Sequence, residues 1–203
     1  MIDAPVTLAI LAGGEGSRMG TPKGLLRIGP DGGRPILSYL LHRMTWRGPT
    51  LLVTAPGRER PPGCEGFDRE ANDPESGGGP LRGVLTALEH ARTAFTVVLT
   101  VDMPEIGPEQ VRCLLDILRD DPKAIGAMLR RANADGTQIE PFPSAYRSAA
   151  RQPIAARLKG ARRSVHGLLQ DPGFLSLDAP AHWPPGLWTN LNSPDDLRAY
   201  TRK

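Results

Sequence analysis

A short apolar run, Val6 to Ala12, is broken only by Thr7 and stops abruptly at Gly13-Gly14. A run of this length closed by glycines reads as a strand buried on both faces and entering a loop. Such a strand needs cover above and below, and the chain supplies the alternation of elements that provides it. Pro35 to Met44 places Ile36, Leu37, Leu40, Leu41 and Met44 at helical spacing. Thr50 to Thr54 reads as a second strand. Pro80 to Ala91 reads as a helix with Leu81, Val84, Leu85 and Leu88 on one face. Phe95 to Val101 is a β-branched run and a third strand, halted at Asp102-Met103-Pro104. Pro108 to Leu118 is a further helix with proline in its first turn, and Ala124 to Leu129 a fourth strand. Beyond Asn133 the pattern loosens. Helices are expected around Ser148 to Leu158, Ser164 to Gln170 and Ser193 to Thr201, the last with Ser193 as N-cap, Pro194 next, and Asp195 and Asp196 in the first turn. This order predicts an α/β fold: an open, mostly parallel sheet with helices on both faces.

The length of 203 residues suits one domain with a sizeable core. The 23 glycines and 21 prolines are spread along the chain, as expected of loops around a compact core, and no repeat or linker stands out. A net charge of +3 is too mild to call for nucleic acid. Its distribution is uneven, however. Between Pro141 and Gln170 lie Arg147, Arg151, Arg157, Lys159, Arg162 and Arg163 with no acidic residue, which reads either as a solvated face or as a field that steers a phosphorylated substrate. Cys64 and Cys113 lack the spacing of a disulfide framework or zinc site. No apolar run approaches the roughly 20 residues of a membrane span, and the N-terminus lacks the basic region of a signal peptide, so no membrane partner is expected and the cytoplasm is the expected compartment.

In open α/β sheets ligands bind beyond the carboxyl ends of the strands. Two places are thereby marked, the loop from Gly13 to Lys23 and the corner at Asp102. The loop holds Gly13, Gly14, Gly16 and Gly20, which allow close backbone approach and expose N–H groups, and it adds Arg18 and Lys23. Amides with Arg and Lys are what a polyphosphate requires. The loop matches neither common glycine fingerprint: Met19 stands where a dinucleotide-binding turn has its third glycine, and the Gly-Lys-Ser/Thr of a phosphate loop is missing. Asp102, on a corner before Pro104, suits Mg²⁺, which takes one or two carboxylates plus phosphate oxygens; the competing reading is a turn-forming Asp. Asp73 also precedes a proline, and Asn190 and Asn192 precede a well-capped helix, where Asn is common for local reasons.

Leu11-Ala12-Gly13-Gly14 followed by Arg18-Met19-Gly20 and Lys23 resembles the signature of nucleotidyltransferases similar to molybdenum cofactor guanylyltransferase. Asp73, then Gly79-Pro80-Leu81-Arg82-Gly83, resembles that family's acidic residue and Gly-Pro-Leu-x-Gly. Val101-Asp102-Met103-Pro104 and Asn190-Leu191-Asn192-Ser193-Pro194 resemble its strand-end and closing motifs. The resemblance implies a Rossmann-like sheet and Mg²⁺. It implies that residues 1–105 form the nucleotide-binding half of one domain and residues 106–203 the acceptor-binding half. Leu11, Ala12, Gly13, Gly14 and Thr54 would hold the nucleotide, with Lys23 and Arg18 on its phosphates and Asp73 near base and ribose. Asp102 would bind the metal, and Asn190 and Asn192 would face the acceptor. The implied reaction moves a nucleoside monophosphate from a triphosphate, GTP favoured, to the terminal phosphate of a phosphorylated pterin, with molybdoenzyme maturation proteins as partners. Two positions depart from the guanylyl enzymes: Thr54 stands where an Asn often helps read guanine, and Pro22 where Asp is frequent. A cytidylyl enzyme for the same cofactor and a transferase acting on a sugar or polyol phosphate are the alternatives. A nucleotide-binding regulator without turnover is the non-enzymatic one.

Overall fold

The computed structural model describes residues 5–13, 19–28, 33–75, 77–133, 136–160 and 163–201. Gly14, Arg18 and Arg162 therefore lie outside the described residues. The first strand, β1 (Val6–Leu11), is buried at every position. After the two-residue strands β2 (Arg27–Ile28) and β3 (Arg34–Pro35) come α1 (Ile36–Met44), β4 (Thr50–Thr54), β5 (Arg69–Asn72), α2 (Gly79–His90), β6 (Phe95–Thr100) and α3 (Pro108–Asp120). The remainder is β7 (Gly126–Asn133), β8 (Gly136–Arg147), α4 (Arg151–Lys159), β9 (Phe174–Asp178) and α5 (Pro194–Thr201).

Seven strands form one open sheet in the order β5-β4-β1-β6-β8-β7-β9. The pairs β1–β4, β1–β6, β4–β5 and β7–β9 are parallel, and β8 runs antiparallel to both β6 and β7. The chain moves one way along the sheet from β1 through α1 to β4, and back past β1 from β5 through α2 to β6. Right-handed crossovers in opposite directions put their helices on opposite faces. Leu8, Ala9 and Ile10 at the centre are accordingly sealed from solvent.

The expected strands and helices of residues 6–120 are found within a residue or two. The second half differs more. The expected helix at Ser164 to Gln170 is a short 3-10 helix, His166–Gln170. The short strands β2, β3 and β5 in the first half, and β8 and β9 in the second, fall outside the expected elements. Of these β8 matters most for function. Its pairing with β6 ends at Val98 opposite Ser144, whereas β7 and β8 continue to pair from Leu129–Glu140 to Asn133–Gly136. A β7–β8 arm thus runs past the end of the β6 pairing, with β9 alongside β7 as far as Arg130. At its base the register slips, so that Pro141, Phe142 and Pro143 bulge between paired positions.

Candidate active site

The carboxyl ends of β1, β4 and β6 open into a cleft of about 640 Å³. Leu11 and Gly13 line it from the exit of β1, Asp73 from that of β5, and Asp102 from that of β6. Gly13 is needed because the chain leaves β1 hard against the exit of β4: a Cβ there would sit 3.0 Å from the backbone nitrogen of Ala55. Gly78, Gly79 and Gly83 bring the N-terminal turn of α2 to the same cleft. Gly79 adopts φ +69°, a left-handed conformation that lets the chain turn into the helix at little cost. The start of a helix favours anions through its free N–H groups and its dipole.

The decisive cluster joins three distant parts of the chain. Lys23, at the start of a single 3-10 turn, donates from Nζ to Asp102 Oδ2 at 2.6 Å and to Asn192 Oδ1 at 2.6 Å. The Lys23 and Asp102 side chains keep only 14% and 20% of their exposure. Both partners are held by backbone. Val101 N–H donates to Leu11 O at 3.2 Å and Leu191 N–H to Asp102 O at 2.8 Å, so the Asp102 corner is tied to β1 and to the Asn190–Asn192 loop. That loop is fixed by the cap of α5, where Asp196 Oδ2 accepts from the backbone N–H groups of Asn192 and Ser193, and Ser193 Oγ accepts from Asp196 N–H. The Ser193 hydroxyl first, and the Asn192 amide after it, hold the Asp196 carboxyl below its ordinary value.

Asp73 occupies a different environment. Thr86 Oγ1 donates to its Oδ1 at 2.6 Å, and Arg82 Nε donates to Thr86 in turn. Burial nevertheless prevails and pushes the Asp73 carboxyl above 3.8, with the Thr86 hydrogen bond opposing. An acid raised in the folded state costs stability once ionised: the penalty is absent below its unfolded value and sets in as pH rises through the raised folded value. Asp73→Asn is therefore expected to hold or raise the thermal midpoint at neutral pH. A lower midpoint at pH 7 than the native chain, with the order unchanged at pH 3, would contradict this.

The expected site residues do not all share one wall. Leu11, Gly13, Lys23, Asp73, Asp102 and Asn190 line the main cleft. Ala12 and Thr54 line a smaller cavity of about 260 Å³ on the other side of Gly13, with Pro22 and Gly24. Asn192 is brought in by Lys23 rather than by lining the cleft. The cleft also takes Glu75, Gln138, Glu140 and Phe142, which sequence reasoning missed. The basic stretch separates by use. Arg147 donates from Nε to Ala124 O at 2.8 Å and lies over the Phe95 ring, and Arg157 pairs with Asp171 at 2.8 Å with its side chain 6% exposed. These two arginines are structural. Arg163 lines a shallow cavity next to the cleft, with Ser164 and His166.

The family model for the MobA-like NTP transferase domain matches residues 8–172. The chain belongs to this NTP transferase family. A relative from Mycobacterium avium (strain 104), named as a probable molybdenum cofactor guanylyltransferase, is 30% identical over 94% of this NTP transferase and 92% of its own length. Among solved structures, the molybdopterin-guanine dinucleotide biosynthesis protein A of Archaeoglobus fulgidus superposes with a TM-score of 0.73 at 20% identity, covering 97% of each chain. The 2-C-methyl-D-erythritol 4-phosphate cytidylyltransferase of Thermus thermophilus superposes with a TM-score of 0.68 at 18% identity, covering 96% of each chain. At those identities the superpositions establish the fold, which this NTP transferase shares with enzymes of different base and acceptor. Among the described residues no helix is long and apolar enough to cross a membrane.

Proposed function

We propose that the chain transfers GMP from GTP to the terminal phosphate of molybdopterin in the cytoplasm, releasing pyrophosphate and passing the product towards molybdoenzyme maturation. The observation that carries this reading is the Lys23–Asp102–Asn192 cluster, in which a lysine from the loop after β1, a strand-end carboxylate and the loop before α5 meet within hydrogen-bond distance. Backbone at Leu11 to Gly13 holds the nucleotide, and Lys23 neutralises its phosphates. Asn190 and Asn192 orient the acceptor so that its phosphate oxygen attacks the α-phosphorus in line with the departing pyrophosphate. The α-phosphorus–oxygen bond to the acceptor forms as the bond to the β-phosphate bridge breaks, and no protein nucleophile takes part. Catalysis then comes from positioning and charge neutralisation.

The donor set suits Mg²⁺. Among the described residues no group of three or more His, Cys, Asp or Glu forms an all-protein cage. Asp102 supplies the single carboxylate that a cation also bound to phosphate oxygens requires. When bound there it would stabilise charge on the phosphates. The test is pyrophosphate release with molybdopterin as acceptor and GTP, CTP, ATP or UTP as donor. GTP with molybdopterin should release pyrophosphate fastest. Faster release with CTP would move the base assignment to cytidine, and release only with a sugar or polyol phosphate would overturn the acceptor.

A further inference from the structure

We propose that Glu140 reads the hydrogen-bonding edge of the acceptor's heterocycle, an amino group beside a ring N–H. This rests on a pterin-bearing acceptor as read above. Glu140 sits at the base of the β7–β8 arm, lines the cleft and is 7% exposed. A carboxylate so buried is kept for a purpose or compensated. Arg131 compensates its charge by donating from Nε to Oε1, and Arg131 is itself braced over the Trp188 ring at 5.8 Å. Arg131 uses one of the two oxygens. A carboxylate accepts about four hydrogen bonds, so acceptor capacity remains on a residue that lines the cleft.

The surroundings suit a flat, nitrogen-rich ring. Met103, Pro141 and Phe142 give the cleft an apolar wall there, and Gln138 and Glu140 give it a polar edge. Apolar faces with a few placed polar groups are how pockets hold such rings. A 2-amino-4-oxo-pyrimidine edge offers two parallel N–H donors, which one carboxylate takes together as it takes a guanidinium fork. Guanine carries the same edge as a pterin, so position must decide between them. The nucleotide's expected contacts come from the exits of β1 and β5, whereas β8 lies beyond β6, two strand spacings or about 10 Å from β1. Asn190 of the acceptor loop lines the same cleft. The acceptor is therefore the ring that Glu140 faces.

The test uses the full chain and two probes, pterin (2-amino-4-oxopteridine) and lumazine (2,4-dioxopteridine, without the amino group), by equilibrium dialysis with GTP and Mg²⁺ present. The native chain should bind pterin at least tenfold more tightly than lumazine. Glu140→Gln should bring that ratio close to one and leave GTP affinity unchanged. Glu140→Asp, which keeps the charge opposite Arg131 and the fold with it, should give an intermediate ratio. A native ratio near one, or variants that retain the full preference, would overturn the proposal. Loss of GTP affinity in place of pterin preference would also overturn it, by assigning the edge to guanine. If GTP releases no pyrophosphate with molybdopterin and the native chain, the functional reading itself fails; normal release with an unaltered Glu140→Gln ratio sinks only this inference.

Discussion

Asp102→Asn is expected to leave the fold intact and remove about 10²-fold or more of the turnover, roughly 2.7 kcal/mol of transition-state stabilisation. The corner should survive because backbone holds it, through Val101 N–H to Leu11 O and Leu191 N–H to Asp102 O. Asn also keeps an oxygen that can accept from Lys23. What it loses is the negative charge, and hard cations depend on that charge. Turnover measured against Mg²⁺ concentration for both forms separates the cases. A deficit that shrinks as Mg²⁺ rises fits a weakened metal site. Near-normal turnover at low Mg²⁺ would show the metal to be on another carboxylate, with Asp73, already in the same cleft, first in line.

Lys23→Ala should weaken GTP binding by about 10- to 100-fold, the worth of charge-assisted hydrogen bonds at roughly 1.5–3 kcal/mol. Lys23 donates to Asp102 and Asn192. A triphosphate must compete with those partners for the ammonium, so the measured loss reports phosphate binding net of that exchange. The variant should stay folded, because Asp102 retains enough solvent access to be hydrated. Calorimetric titration with GTP, beside a thermal melt, checks both parts. Native affinity in the variant would remove Lys23 from the phosphate site.

The first half of the chain was readable because its elements obey simple periodicities. The strands β1, β4 and β6 are short, mostly apolar runs interrupted or flanked only by threonines, and α3 begins with Pro108 and repeats its apolar residues every three or four positions. β8 was hidden by Pro141 and Pro143, which ordinarily argue against a strand in mid-sheet; they are tolerated because they fall in the bulge where ladder pairing lapses. β5, Arg69–Asn72, is a short charged edge strand with a single buried residue, Ala71. The site divides along the same line. Lys23 and Asp102 were expected to converge, since both follow parallel strands. Glu140, Gln138 and Phe142 come from the arm that the prolines concealed, and Glu75 lies in a loop without a distinctive pattern.

The hydrogen bonds from Lys23 span 79 and 169 residues of sequence. Closing loops of that size carries an entropic penalty that only the surrounding sheet and helices can offset. The Lys23–Asp102–Asn192 cluster therefore cannot exist ahead of the global structure or as a fragment of it. In a refolding experiment the return of catalysis should trail secondary structure and coincide with the docking of α5, which makes enzymatic competence a direct gauge of how completely a molecule has folded.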